Sequence, residues 1–165
     1  MARIHTPPNS TNEYYGMIDQ IYIHLQEIGN MDQEQGVIVT LDGGYFAIGK
    51  HLLSLGSYSR DMTDLNVLFN RVIVDKAQKF VYAHNHPNGV AVFSEPDIKS
   101  TIAMLMMASV LQIELVDHVL FAYKRKPVSM RKQFTKLWET DWLAYFSEKT
   151  EKFVPKQSKL GSHTY

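Results

Sequence analysis

The chain has 165 residues, 45% of them hydrophobic, with 17 Lys and Arg balanced by 17 Asp and Glu, so its formal net charge at pH 7 is zero. That is the apolar content of one ordinary globular domain, with no global field to recruit nucleic acid or a membrane surface. Cysteine is absent, which excludes disulfides, thiolate zinc sites, a Cys nucleophile and the zinc deaminases, whose signature needs Pro-Cys-x-x-Cys. No apolar run approaches the ~20 residues of a membrane span. The polar start Met1 to Asn12 does not resemble a signal peptide, so no membrane association and a cytoplasmic location are expected.

In chain order, Ser10-Thr11-Asn12-Glu13 reads as a capping box. It opens a first helix in which Tyr14, Ile18, Ile21, Leu25 and Ile28 recur at helical spacing until Gly29-Asn30 stops them. Residues 37–41 read as a strand, Asp42-Gly43-Gly44 as a turn and 45–48 as the hairpin partner. A third strand is expected to include 51–55. Thr63-Asp64 opens a second helix with Leu65, Leu68, Phe69, Val72 and Ile73 on one face. Phe80-Val81-Tyr82-Ala83 is a short buried strand. Ser94 then caps a helix over about 95–111, with Pro96 in its first turn and Ile98, Ile102, Leu105 and Met106 at helical spacing. Residues 113–116 and 119–123 read as strand material, which Val128 continues after Pro127. A last amphipathic helix carries Phe134, Trp138, Trp142 and Tyr145 or Phe146. The expected organisation is a flexible segment over 1–12, one domain over 13–148 and a polar tail over 149–165. The expected fold class is α/β, a mixed sheet with helices on its faces.

The chemistry gathers at His84-Asn85-His86-Pro87, Ser94 and Asp97. Successive strand residues alternate faces, so His84 and His86 leave the strand pointing the same way. Ser94 and Asp97, at the start of the next helix, face back toward them. Two imidazoles and a carboxylate can hold one zinc ion and leave a fourth position for water, the catalytic rather than the structural pattern.

These residues resemble the JAMM (MPN+) metalloprotease signature: His-x-His-Pro, six residues, Ser, two residues, Asp. Within that superfamily the text is similar to the RadC branch. His84-Asn85-His86-Pro87-Asn88-Gly89 stands close to the branch's His-Asn-His-Pro-Ser-Gly, with Asn88 in place of serine. Leu115-Val116-Asp117-His118-Val119-Leu120 resembles Leu-Leu-Asp-His-Ile-Ile, and Ser129 sits near a usual serine. The resemblance covers roughly residues 31 to 132. One departure is Leu65-Asn66-Val67-Leu68-Phe69, where the branch carries Pro-Arg-Glu-Val-Phe. No role of that Arg-Glu pair can be carried over to this chain.

The resemblance implies a JAMM fold of cytidine-deaminase-like architecture. It also implies a zinc-dependent hydrolase that cleaves an amide or isopeptide bond in a protein or peptide substrate. Zn²⁺ would be held by His84, His86 and Asp97. Glu34, seven residues before Leu41-Asp42, takes the place of the family's catalytic glutamate, and Ser94 that of the serine that polarises the scissile carbonyl. Simpler readings stand beside these. Glu34 could be a solvated loop carboxylate, with Asp32 the next candidate base. Ser94 could be a plain helix cap, and Asp97 is favoured by the helix dipole without any metal. His118 could stand behind the metal ligands, touch substrate, or be a buried histidine satisfied by a strand-edge carbonyl. The run from Lys124 to Lys136 holds Lys124, Arg125, Lys126, Arg131, Lys132 and Lys136 and no acid. Read as a solvated face, it gives weak or no nucleic-acid binding. The reading from another class is a metal-containing binding module, without catalysis, in a DNA-linked complex.

Overall fold

A computed structural model describes residues 12–53 and 64–155. Its strands are β1 (Gly36–Leu41), β2 (Ala47–Leu53), β3 (Lys79–His86), β4 (Glu114–Ala122) and β5 (Val128–Ser129). They form one sheet in the order β2-β1-β3-β4-β5. The helices are α1 (Ile18–Leu25), α2 (Leu65–Val74), α3 (Glu95–Leu111), α4 (Met130–Gln133), α5 (Thr135–Glu139) and α6 (Trp142–Thr150). All neighbouring strands are antiparallel except β3 and β4, which run parallel and are joined through α3. The architecture is α/β, a mixed sheet flanked by helices.

Each face of the sheet is covered. Val37, Val39, Val81, Ala83, Val119 and Phe121 pack against Ile21 and Leu25 of α1 and Ile28 of the following 3-10 turn. On the other face Ile38, Phe80, Tyr82 and Leu115 meet Leu68, Phe69 and Val72 of α2 and Met104, Leu105 and Ala108 of α3. Burying each of these large side chains contributes about 1.5–3 kcal/mol. Because β1 and β3 are covered on both faces, they read in sequence as continuous apolar runs without alternation.

The local signals for α2 and α3 match what forms. Asp64 caps α2 by accepting from the Asn66 and Val67 amides. Ser94 and Asp97 form a reciprocal capping box at the start of α3. Three expectations need correction. The first helix begins at Ile18, because residues 13–15 are extended: Tyr14 bridges to Phe46, and the Tyr15 amide donates to the Tyr45 carbonyl. The capping box that would have started it earlier rests in part on Ser10 and Thr11, outside the described residues. Residues 45–48 and 51–55 do not make two strands; one strand, β2, covers Ala47–Leu53, and residues 54–55 lie outside the described set. The aromatic-rich last helix is broken: Phe134 lies between α4 and α5, Trp138 is in α5, and Trp142, Tyr145 and Phe146 are in α6. Thr140 turns extended after α5, and Asp141 caps α6 by accepting from the Ala144 amide. α6 and a 3-10 turn then carry ordered structure to Phe153.

Strand register positions the site. Gly36, the first residue of β1, pairs with His84 near the end of β3. The segment leading into β1, residues 31–35, therefore runs beside the strand end that carries the histidines. Gly36 is needed there, because a Cβ on it would come within 2.7 Å of the Tyr82 hydroxyl oxygen.

Candidate metal centre

β3 brings two imidazoles to one point and α3 brings a carboxylate to meet them. Nε2 of His84 lies 3.1 Å from Nε2 of His86. Asp97 closes the triangle, with Oδ1 3.2 Å from His84 Nε2 and Oδ2 3.5 Å from His86 Nε2. A tetrahedral ion with bonds of about 2.0–2.1 Å has donor–donor edges of about 3.3 Å. The donor types and their spacing thus fit a zinc-like cation. Glu34 stands at the same point: it offers a carboxylate oxygen that, with one nitrogen from each of His84 and His86, falls in a set whose members all lie within 4.8 Å of one another. Two carboxylates therefore flank the histidine pair. Asp97 is the better buried, whereas Glu34 is exposed on its loop.

The electrostatics follow from these contacts. Burial alone would raise the Asp97 pKa, but the His84 and His86 imidazoles, wherever they carry a proton toward it, and the Ser94 amide hold it well below the usual carboxylate range. Asp97 is ionised, as a ligand must be. The Asp97 carboxylate in turn raises the His86 pKa against the opposing effect of burial. Nδ1 of His86 lies 2.8 Å from the Val90 carbonyl. A carbonyl oxygen can only accept, so in the neutral ring Nδ1 carries the hydrogen and Nε2 presents a lone pair to the centre.

Asn85 points to the opposite face of β3 and is fully buried. Its Oδ1 accepts from the Gln35 amide at 2.7 Å, and its Nδ2 donates to the carbonyls of Met31 at 3.1 Å and Gln33 at 3.0 Å. Every polar atom of that amide is used on the segment that carries Glu34. Nothing in the sequence singled Asn85 out, although a polar residue inside a buried strand always needs such partners.

His118 is buried on β4, and its partners are side chains rather than a strand-edge carbonyl. Its Nε2 lies 2.7 Å from Nδ1 of His84, and its Nδ1 lies 2.6 Å from the Thr101 hydroxyl. Burial pushes its pKa well below the ordinary value, so the ring is neutral. Thr101 was also missed. It stands four residues after Asp97, one helical turn further along the same face of α3, and that spacing was the available signal.

Ser94 sits beside the centre with its Oγ accepting from the Asp97 amide at 3.2 Å, so it is a helix cap and also lies next to the donors. Asp117, next to His118, points to the opposite face of the sheet. It accepts from the Ser129 hydroxyl at 2.5 Å and from the His118 and Arg131 amides at 2.7 and 3.1 Å, which ties β5 and α4 to β4. The basic run is divided. Lys124, Arg125 and Lys126 are exposed on the turn after β4, while the Arg131 guanidinium donates to the Val116 carbonyl. Among the described residues no helix is long and apolar enough to cross a membrane.

The RadC-like JAB domain profile matches residues 16–135 of the chain. UPF0758 proteins are similar over stretches of comparable length. One from Synechocystis is 32% identical over 114 residues, covering 69% of this chain and 46% of its own length. One from Microcystis aeruginosa is 30% identical over 113 residues, covering 68% and 46% respectively. One from Finegoldia magna is 29% identical over 110 residues, covering 67% and 49%. The chain thus spans about half the length of these curated relatives.

Proposed function

The chain belongs to the RadC-like JAB domain family, and we propose that it is a zinc-dependent hydrolase that cleaves an amide or isopeptide bond. The observation that carries this reading is the convergence of His84 Nε2, His86 Nε2 and the Asp97 carboxylate at tetrahedral spacing, with the exposed carboxylate of Glu34 alongside. A zinc ion held by His84, His86 and Asp97 would supply Lewis acidity, polarising a carbonyl and bringing the pKa of water toward about 7.

The residues of the chain supply the rest. Glu34, exposed and beside the histidine pair, accepts the proton of the attacking water and returns it to the leaving amine. Ser94 needs its lone pair for the Asp97 amide, which leaves its O–H to donate to the oxygen that becomes negative during attack. Asn85 keeps the Glu34 segment against the end of β3 through its three hydrogen bonds, so the base meets the site without a conformational search.

The test is hydrolysis of peptide and isopeptide-linked libraries by chelator-stripped protein with and without added zinc. Cleavage should require the metal. Glu34→Gln should lower it by at least ~10²-fold while zinc stays bound. Cleavage that survives chelation, or full activity in Glu34→Gln, would contradict the reading.

A further inference from the structure

We propose that Thr101 and His118 fix the tautomer of His84 through a one-way hydrogen-bond relay, leaving His84 Nε2 bare at the centre. The relay runs from α3 through β4 to β3. The Thr101 Oγ1 lies 2.8 Å from the backbone carbonyl oxygen of Asp97 and 2.6 Å from His118 Nδ1. His118 Nε2 lies 2.7 Å from His84 Nδ1. Contacts this short between two electronegative atoms need a hydrogen between them.

With His84 and His118 both neutral, only one assignment of hydrogens satisfies all three contacts. The carbonyl of Asp97 has none to give, so the single hydroxyl hydrogen of Thr101 must point at it. Thr101 then meets His118 with a lone pair, and the hydrogen in that contact must sit on His118 Nδ1. A neutral imidazole carries one N–H, so His118 Nε2 is an acceptor and the last hydrogen belongs to His84 Nδ1. His84 Nε2 is left with its lone pair directed at His86 Nε2 and Asp97 Oδ1. The reverse relay would put two lone pairs 2.8 Å apart at the Asp97 carbonyl and a hydrogen on His84 Nε2, where it would block a cation. The chain starts on the backbone of Asp97, so the residue that supplies the carboxylate also sets, through two side chains, the proton position of the imidazole it faces. Thr101 and His118 are positioning residues.

The tautomer itself does not depend on metal, while its purpose rests on the zinc reading above, so the two can fail separately. The experiment uses the full chain, ¹⁵N-labelled at histidine and free of metal, near pH 8, with long-range ¹H–¹⁵N correlation spectra of the imidazoles. His84 should show the Nδ1–H pattern. Thr101→Val keeps the shape but removes the acceptor, and should move His84 toward the Nε2–H form; Thr101→Ser should restore the wild-type pattern. In zinc competition titrations Thr101→Val should bind about tenfold or more weakly, with Thr101→Ser near wild type. An Nε2–H pattern for His84 in wild type would overturn the proposal without recourse to any variant. So would a Thr101→Val protein with unchanged imidazole spectra. If wild type shows the Nδ1–H pattern but takes up no zinc, the relay stands and the zinc reading falls.

Discussion

The Oδ1 of Asn85 accepts the Gln35 amide at 2.7 Å, so the residue between the two histidines grips the chain one position beyond Glu34. Strand alternation makes this possible. His84 and His86 face α3, Asn85 faces the opposite side, and three consecutive residues of β3 serve both halves of the candidate site.

Replacing Asn85 by alanine removes three part-buried hydrogen bonds, leaving the Gln35 amide and the Met31 and Gln33 carbonyls without that partner. It should destabilise the protein by about 2–4 kcal/mol. Chemical denaturation reads the loss, and amide exchange should locate it, with Gln35 losing protection. Because the side chain of Asn85 bonds to Gln35, Met31 and Gln33 and not to His84, His86 or Asp97, zinc affinity should change little. A loss under about 1 kcal/mol would mean that the Glu34 segment is held by other contacts.

Ser94→Ala removes the side-chain cap of α3 and should cost about 1 kcal/mol in thermal or chemical unfolding. If Ser94 also donates to the developing oxyanion, the same variant should lower kcat by at least ~10-fold with KM little changed, since that bond forms only in the transition state. An unchanged kcat would leave Ser94 as a cap alone.

Asp117→Ala leaves the Ser129 hydroxyl and the His118 and Arg131 amides without their buried acceptor. The expected loss is about 3 kcal/mol or more, read by denaturant titration. Near-wild-type stability would show that β5 and α4 are held to β4 by packing alone.

Much of this arrangement was legible in sequence because its signals are local. Ser94 three residues before Asp97, Asp64 ahead of an apolar helical pattern, and two histidines at strand spacing each carry their own geometry. Misreadings came where a long-range contact overrode a local pattern. Tyr14 fits the period of α1, yet its backbone pairs with Phe46 of the hairpin. Trp138 and Trp142 fit one helix, yet Asp141 starts a new one between them, and the indole N–H groups donate to the Leu115 and Leu137 carbonyls. Asn85, Thr101 and His118 acquire their partners only when β1, α3 and β4 close around β3, and no spacing along the chain encodes that closure.

With zero net charge and exposed basic residues spread over several elements, the chain should bind duplex DNA only in the non-specific range, about 10⁻⁴ to 10⁻⁶ M at physiological salt, with affinity falling steeply as salt rises. Fluorescence anisotropy with labelled duplex measures this. Nanomolar affinity at that salt would favour a DNA-linked binding module over a hydrolase.

Bound zinc per chain, read by elemental analysis on wild type, Glu34→Gln and Asp97→Ala after equilibration with zinc and desalting, separates the two carboxylates that flank His84 and His86. If Asp97 is the third ligand and Glu34 the base, wild type and Glu34→Gln should each retain about one zinc, and Asp97→Ala should retain far less because two protein ligands hold the ion poorly. A wild-type protein without zinc, or a zinc-free Glu34→Gln beside a zinc-loaded Asp97→Ala, would contradict that assignment.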